Sequence, residues 1–206
     1  HTAACGTPVL FHDAMLSRTT NGVGPVRRRT LAQLKALDAG SWFSPDFAGE
    51  RVPALAEALD ALRGRAGRIY LEVKGFRELE DVDRMAEVVE ETRSSEQVVF
   101  ISLTWTALDR IRDRRPDAPI GYVVDEAGRV EEALHRAGAD ARALLDFRAG
   151  LVLEAPEVVR RAEQQGNGVA VWTVDEAGEA EQLARAGVRR FTTNEVEALR
   201  TWRDAR

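Results

Sequence analysis

From Arg68 to the end of the chain, short apolar runs alternate with polar turns and with segments whose apolar residues recur at helical spacing. "IYLEV" (residues 69–73) leads into a helix from about Glu78 that carries Leu79, Val82, Met85, Ala86 and Val89 on one face. "VVFIS" precedes a helix with Trp105, Leu108 and Ile111, and "PIGYVV" precedes one over residues 127–137. "ARALLD" precedes a helix that Pro156 can start, because proline is tolerated in the first turn. "GVAVWTV" leads into residues 176–186, with Gly187 where a helix-ending glycine belongs. "RRFTT" leads into the last helix, for which Asn194 is the expected N-cap.

These are six β-then-α units in series, and most of the strands are too apolar to alternate, as in parallel strands buried on both faces. The pattern predicts a parallel α/β fold, either an open doubly wound sheet or a closed (β/α)₈ barrel. No G-x-G-x-x-G follows any run, which weakens the dinucleotide-binding form of the open sheet, while six units are two short of a barrel. Residues 14–52 do not fit the repeat. They hold one short helix, residues 30–37 with Thr30 as N-cap, between turn-rich stretches, and read as a lid-like insertion beside a site.

At 206 residues the chain suits one domain, and its 44% hydrophobic and 31% charged residues describe an ordinary globular protein. The formal charge of −5 offers no basic surface for nucleic acid and no polybasic attraction to a membrane. No apolar run reaches the ~20 residues of a membrane span, so a soluble chain is expected. Cys5 is the only cysteine, which excludes an intrachain disulfide and leaves the compartment open, with a cytoplasmic location placed ahead of a secreted one.

Chemistry in parallel α/β folds collects at the C-terminal ends of strands. The run "VLF" ends on His12 and Asp13, "IYLEVK" brings Glu72 and Lys74, and "GVAVWTV" brings Trp172. A histidine can exchange protons near neutral pH, a carboxylate can hold a hard cation, and an ammonium can hold phosphate. Two plainer readings stand beside these: His12–Asp13 as a capped turn, and Glu72–Lys74 as a structural ion pair on one face of a strand. Burying Glu72 between Leu71 and Val73 is costly unless it is paired or metal-bound. His135 is expected to face solvent, and Ser102 has little support as a nucleophile.

The ordered set "GTPVLFHDAMLSRTTNGVGPV", "LAQLKALDAGSWFSPDFAGERVPALAEAL", "IYLEVKG", "VAVWTVD" and "AGVRRFTTN" resembles the glycerophosphodiester phosphodiesterase family over nearly the whole chain. The resemblance implies a TIM (β/α)₈ barrel. The first two strands are then expected to lie before the six units read here, with "AACG" as a hairpin turn and residues 14–52 as an insertion after the His-Asp hairpin. It implies a metal-dependent phosphoric diester hydrolase that converts glycerophosphodiesters to sn-glycerol 3-phosphate and an alcohol, in glycerol and lipid metabolism. By the same resemblance His12 is a catalytic acid/base, Glu72 one of three carboxylates on Ca²⁺ or Mg²⁺, Lys74 a phosphate-binding group, and Trp172 part of the substrate pocket. The family's His-Arg-Gly and Glu-x-Asp are absent, Cys5 replaces a turn Asp, Leu103 stands where an aromatic is common, and Asp175 replaces an Asn.

The competing readings are a catalytically inactive, barrel-derived binding module and another metal-dependent phosphodiesterase of the same barrel type. Head group, metal, compartment and oligomeric state are not legible in the residues. With one expected metal carboxylate of three and one catalytic histidine of two, these 206 residues alone are expected to fold poorly and to hydrolyse glycerophosphocholine little or not at all with Ca²⁺ or Mg²⁺. Robust metal-dependent turnover by the purified chain refutes that expectation.

Overall fold

The computed structural model describes all residues, His1–Arg206, as an α/β fold divided into two compact units. The first unit comprises residues 1–100 and 106–118, the second residues 101–105 and 119–206. In the first lie α1 (Leu31–Lys35), α2 (Leu55–Leu62), β1 (Ile69–Glu72) and α3 (Leu79–Glu91). Strand β2 (Val98–Ser102) and helix α4 (Trp105–Arg114) pass from one unit into the other. The second unit holds β3 (Ile120–Val124), α5 (Val130–Ala137), β4 (Ala143–Arg148), α6 (Ala149–Glu154), α7 (Glu157–Gln164), β5 (Gly168–Trp172), α8 (Ala177–Arg185), β6 (Arg190–Phe191) and α9 (Val196–Asp204). No helix is long and apolar enough to cross a membrane.

The six expected β-then-α units are all present, and the apolar runs explain why. Every residue of β2 and β3 is buried, as are the first five of β4, so each strand is covered on both faces. Within the second unit the pairing is parallel and in chain order, with Ile120 opposite Ala143, Leu144 opposite Gly168 and Ala170 opposite Arg190. The loop after α8 closes as the glycine predicts. Gly187 N–H donates to the Ala184 carbonyl at 3.1 Å and Val188 N–H to the Leu183 carbonyl at 3.1 Å, with Gly187 at φ +111°. Asn194 does not cap the last helix; α9 begins after Glu195, and Asn194 binds Asp175 instead.

The segment "VLF" departs from the expected hairpin strand. It makes isolated antiparallel bridges, Thr2 with Pro8 and Val9 with Ala54, and no ladder. The reason is local: Pro8 and Pro53 sit at the bridges without an N–H, so each can only accept, Pro53 O from Leu10 N–H at 3.0 Å and Pro8 O from Leu55 N–H at 2.9 Å. The turn before it forms as read, with Gly6 N–H on the Ala3 carbonyl at 2.9 Å.

Residues 14–52 close their own small core in which Leu16, Val26, Leu34 and Val52 pack with Ala3 and Val9. Helix α1 starts on a capping box: Gln33 N–H donates to Thr30 Oγ1, and Thr30 N–H donates to Gln33 Oε1. Asp38 organises the following loop by accepting from the backbone N–H groups of Ser41, Gly40 and Gly49 and from the Ser41 hydroxyl. Those donors, the Ser41 amide first, hold its carboxyl well below the usual carboxylate range.

Two substitutions separate packing from capping. Phe147→Ala, at a fully buried position of β4, is expected to cost about 3–5 kcal/mol, and Thr30→Ala about 1 kcal/mol, both read from urea unfolding. Equal losses would contradict this account.

Candidate active-site cleft

The extended backbone through residues 69–74 sends Leu71 and Val73 into the core and leaves Tyr70, Glu72 and Lys74 more exposed. In the first unit Tyr70, Glu72 and Lys74 line a cleft of about 190 Å³ with His1, Phe11 and His12. Three of the four residues singled out from sequence, His12, Glu72 and Lys74, therefore share one cavity. Trp172 ends β5 in the second unit, where it is half-buried and its Nε1–H donates to the Asp146 carbonyl at 3.1 Å.

Lys74 Nζ lies 3.1 Å from Glu72 Oε2, with about a quarter of each side chain exposed. The pair satisfies the requirement that a strand carboxylate be compensated. His12 projects outward, its side chain 70% exposed, and its Nδ1 lies 2.8 Å from Asp13 Oδ1. An ionised carboxylate only accepts, so the Nδ1 proton belongs to this contact and Nε2 is the atom left to exchange a proton.

Asp13 is itself held from the other side. Arg18 reaches it with a two-pronged contact, Nε to Oδ2 at 2.6 Å and Nη2 to Oδ1 at 2.8 Å. The Arg18 guanidinium first, and His12 second, hold the Asp13 carboxyl well below its usual range. Sequence reading offered His12–Asp13 as a capped turn among its alternatives and missed Arg18. The only available signal was an arginine five residues on, in a polar loop without periodicity.

His1 was also missed. Its Nε2–H donates to the His12 carbonyl at 3.3 Å, and its ring lies over Gly75, where a Cβ would stand 2.3 Å from Nδ1. The remaining predicted positions are quieter. Ser102 is buried, with its hydroxyl accepting from Thr104 N–H at 2.9 Å, and His135 is exposed on α5. Asp175 accepts from Asn194 N–H at 2.7 Å, Asn194 Nδ2–H at 3.0 Å and the Thr193 hydroxyl at 3.0 Å, so it ties the β5 and β6 loops together.

A divalent cation with Glu72 as ligand is not supported by the residues present. Calcium takes about six to eight oxygens and magnesium about six. Glu72 is the one carboxylate lining the cleft, and nowhere do three His, Cys, Asp or Glu side chains gather in a way that could hold a metal ion.

Residues 5–198 match the model of the glycerophosphoryl diester phosphodiesterase family. The chain is 30% identical to a glycerophosphodiester phosphodiesterase of Caldanaerobacter subterraneus subsp. tengcongensis, over 94% of this chain and 79% of that protein. Among solved structures it is similar to a phosphodiesterase of Oleispira antarctica in complex with the product sn-glycerol-3-phosphate, with TM-score 0.86 and 26% identity over 98% of this chain and 82% of that one. The glycerophosphodiester phosphodiesterase of Agrobacterium tumefaciens shares the fold, with TM-score 0.78 and 24% identity over 97% of this chain and 84% of that one.

The Asp13 contact sets a pH prediction. Its carboxyl has a lower pKa folded than unfolded, where about 3.9 is usual, so its stabilising contribution is complete above that value and fades as pH falls toward the folded pKa. Arg18→Ala is expected to move the Asp13 titration upward in carboxyl-carbon NMR. An unmoved midpoint would mean that Arg18 does not hold Asp13.

Proposed function

The chain belongs to the glycerophosphoryl diester phosphodiesterase family, and from that premise we propose that the cleft of His12, Glu72 and Lys74 is where it handles its substrate. It is a phosphoric diester hydrolase that yields sn-glycerol 3-phosphate and an alcohol, products that tie it to glycerol and lipid metabolism. Its six β-then-α units are those of a TIM-type barrel, with residues 14–52 as the insertion between the His12–Asp13 segment and α2. The observation that carries the reading is the meeting of a proton-exchanging imidazole and an ammonium on one small cleft.

Lys74 binds the anionic phosphoryl oxygens and offsets the charge that grows on them as the P–O bond breaks. His12 is the general acid/base. Asp13 fixes its ring, so Nε2 either takes the proton of the attacking hydroxyl or returns one to the departing alkoxide. Glu72 holds Lys74 in place before substrate arrives. The family resemblance implies Ca²⁺ or Mg²⁺ on Glu72, but a single carboxylate already paired to an ammonium does not by itself make such a site. By the family resemblance Trp172, at the end of β5, is proposed as a substrate-contacting residue.

The competing reading is substrate binding without turnover. Both are tested by release of sn-glycerol 3-phosphate from glycerophosphodiesters, together with equilibrium binding of the same compounds. His12→Asn is expected to lower kcat by about 10²–10⁴-fold with KM little changed. Lys74→Ala is expected to weaken binding by about tenfold or more. Binding without turnover supports the second reading, and indifference to both substitutions removes His12 and Lys74 from the site.

A further inference from the structure

His12 and Lys74 stand on different segments, and the backbones of both segments are tied to one buried ion pair. Lys74 lies three residues before Arg77, and His12 lies six residues after Gly6. The carboxylate of the pair is Asp81, in the first turn of α3 and 3% exposed. Helix α3 is itself anchored by the buried Val82, Met85 and Val89. A carboxylate so deeply buried is costly unless several donors compensate it. Asp81 Oδ2 accepts from Arg77 N–H, from Arg77 Nε–H and from the Thr2 hydroxyl, each at 2.9 Å. Its Oδ1 accepts from Arg77 Nη2–H at 2.6 Å.

The guanidinium has a further prong. Arg77 Nη1–H donates to the Ala4 carbonyl at 2.7 Å, across 73 positions of sequence. Gly6, at φ +79°, lies so close to the pair that a Cβ there would stand 2.8 Å from Arg77 Nη2 and 2.9 Å from Asp81 Oδ1. The turn that contains Ala4 and Gly6 continues firmly toward His12. Ala3 N–H donates to the Thr7 carbonyl at 2.9 Å, Thr2 bridges Pro8, and Val9 is buried. On the other side, the bond from Arg77 N–H to Asp81 fixes the end of the loop that carries Lys74. Neither Arg77 nor Asp81 lines the cleft of His12 and Lys74. The pair acts on that cleft only by setting where its two walls stand.

We propose that Arg77, held by Asp81, is a positioning residue of the phosphodiester site, and that its fork keeps His12 at the separation from Lys74 that a bound diester spans. The proposal rests on the reading of the cleft given above. A ligand that touches both residues then depends on Arg77, whereas a small anion that Lys74 holds alone does not. Lysine at position 77 keeps a positive charge beside Asp81 but has no planar fork with which to hold Ala4 at the same time.

The test is equilibrium binding of glycerophosphocholine and of inorganic phosphate to the protein, by calorimetry, for wild type, Arg77→Lys, Gly6→Ala and Lys74→Ala, with urea unfolding of each. Arg77→Lys and Gly6→Ala are each expected to weaken the diester about tenfold, while phosphate binding changes by less than about twofold. Arg77→Lys decides the matter by itself if Gly6→Ala does not fold. A pair that serves stability alone lowers the urea midpoint and leaves the ratio of the two affinities unchanged, and that result overturns the proposal. Lys74→Ala is expected to weaken both ligands. If it does so while the Arg77 and Gly6 variants leave the ratio unchanged, the positioning role falls and the cleft reading stands. If Lys74→Ala weakens neither ligand, the cleft reading fails and takes this proposal with it.

Discussion

Glu72 and Lys74 meet because two side chains separated by one residue leave an extended backbone on the same side. The residue between them, Val73, is buried, and so is Leu71 on the other side of Glu72. Sliding the segment by one residue would put the two charges into the core and the two aliphatics into water, so packing fixes the charged pair as firmly as it fixes the strand. The pair also limits what the cleft can do. An incoming phosphate reaches an ammonium that already has a partner, so it must displace Glu72 or share Lys74 with it.

Histidine positioning follows a different logic. His12 sits in a segment that two prolines prevent from extending into a ladder, and only isolated bridges hold its backbone. Order comes from side chains instead: Asp13 accepts a hydrogen bond from His12 Nδ1–H, and Arg18 grips Asp13 with two contacts. Arg18 precedes the turn that leads to Arg27, so one polar loop both steadies the imidazole and carries an arginine that lines a neighbouring cleft with Lys74. Residues 14–52 can do this without belonging to the strand–helix repeat because Leu16, Val26, Leu34 and Val52 give them a core of their own.

Much of this was legible along the chain. The unbroken apolar runs marked β2 to β5, since strands covered on both faces need no polar alternation. Thr30 and Gly187 marked a helix start and a helix end because their roles depend only on bonds within a turn. Asn194 was misread for the complementary reason. Its side chain was claimed by Asp175, 19 residues earlier in sequence, and a local capping rule cannot register a distant acceptor.

The sequence by itself determined which residues share a face of β1, where most of the strands and helices run, and which titratable groups fall at strand ends, because periods of two and 3.6 residues are local properties of the backbone. Only the tertiary structure decided that His12 and Lys74, 62 positions apart, open onto one cleft, and that Arg27 lines a second cleft with the same lysine. It also decided that Glu72 lies 3.1 Å from the Lys74 ammonium. Those outcomes depend on how loops pack against a strand, which buried residues such as Val26 and Val9 settle through contacts that no spacing rule encodes.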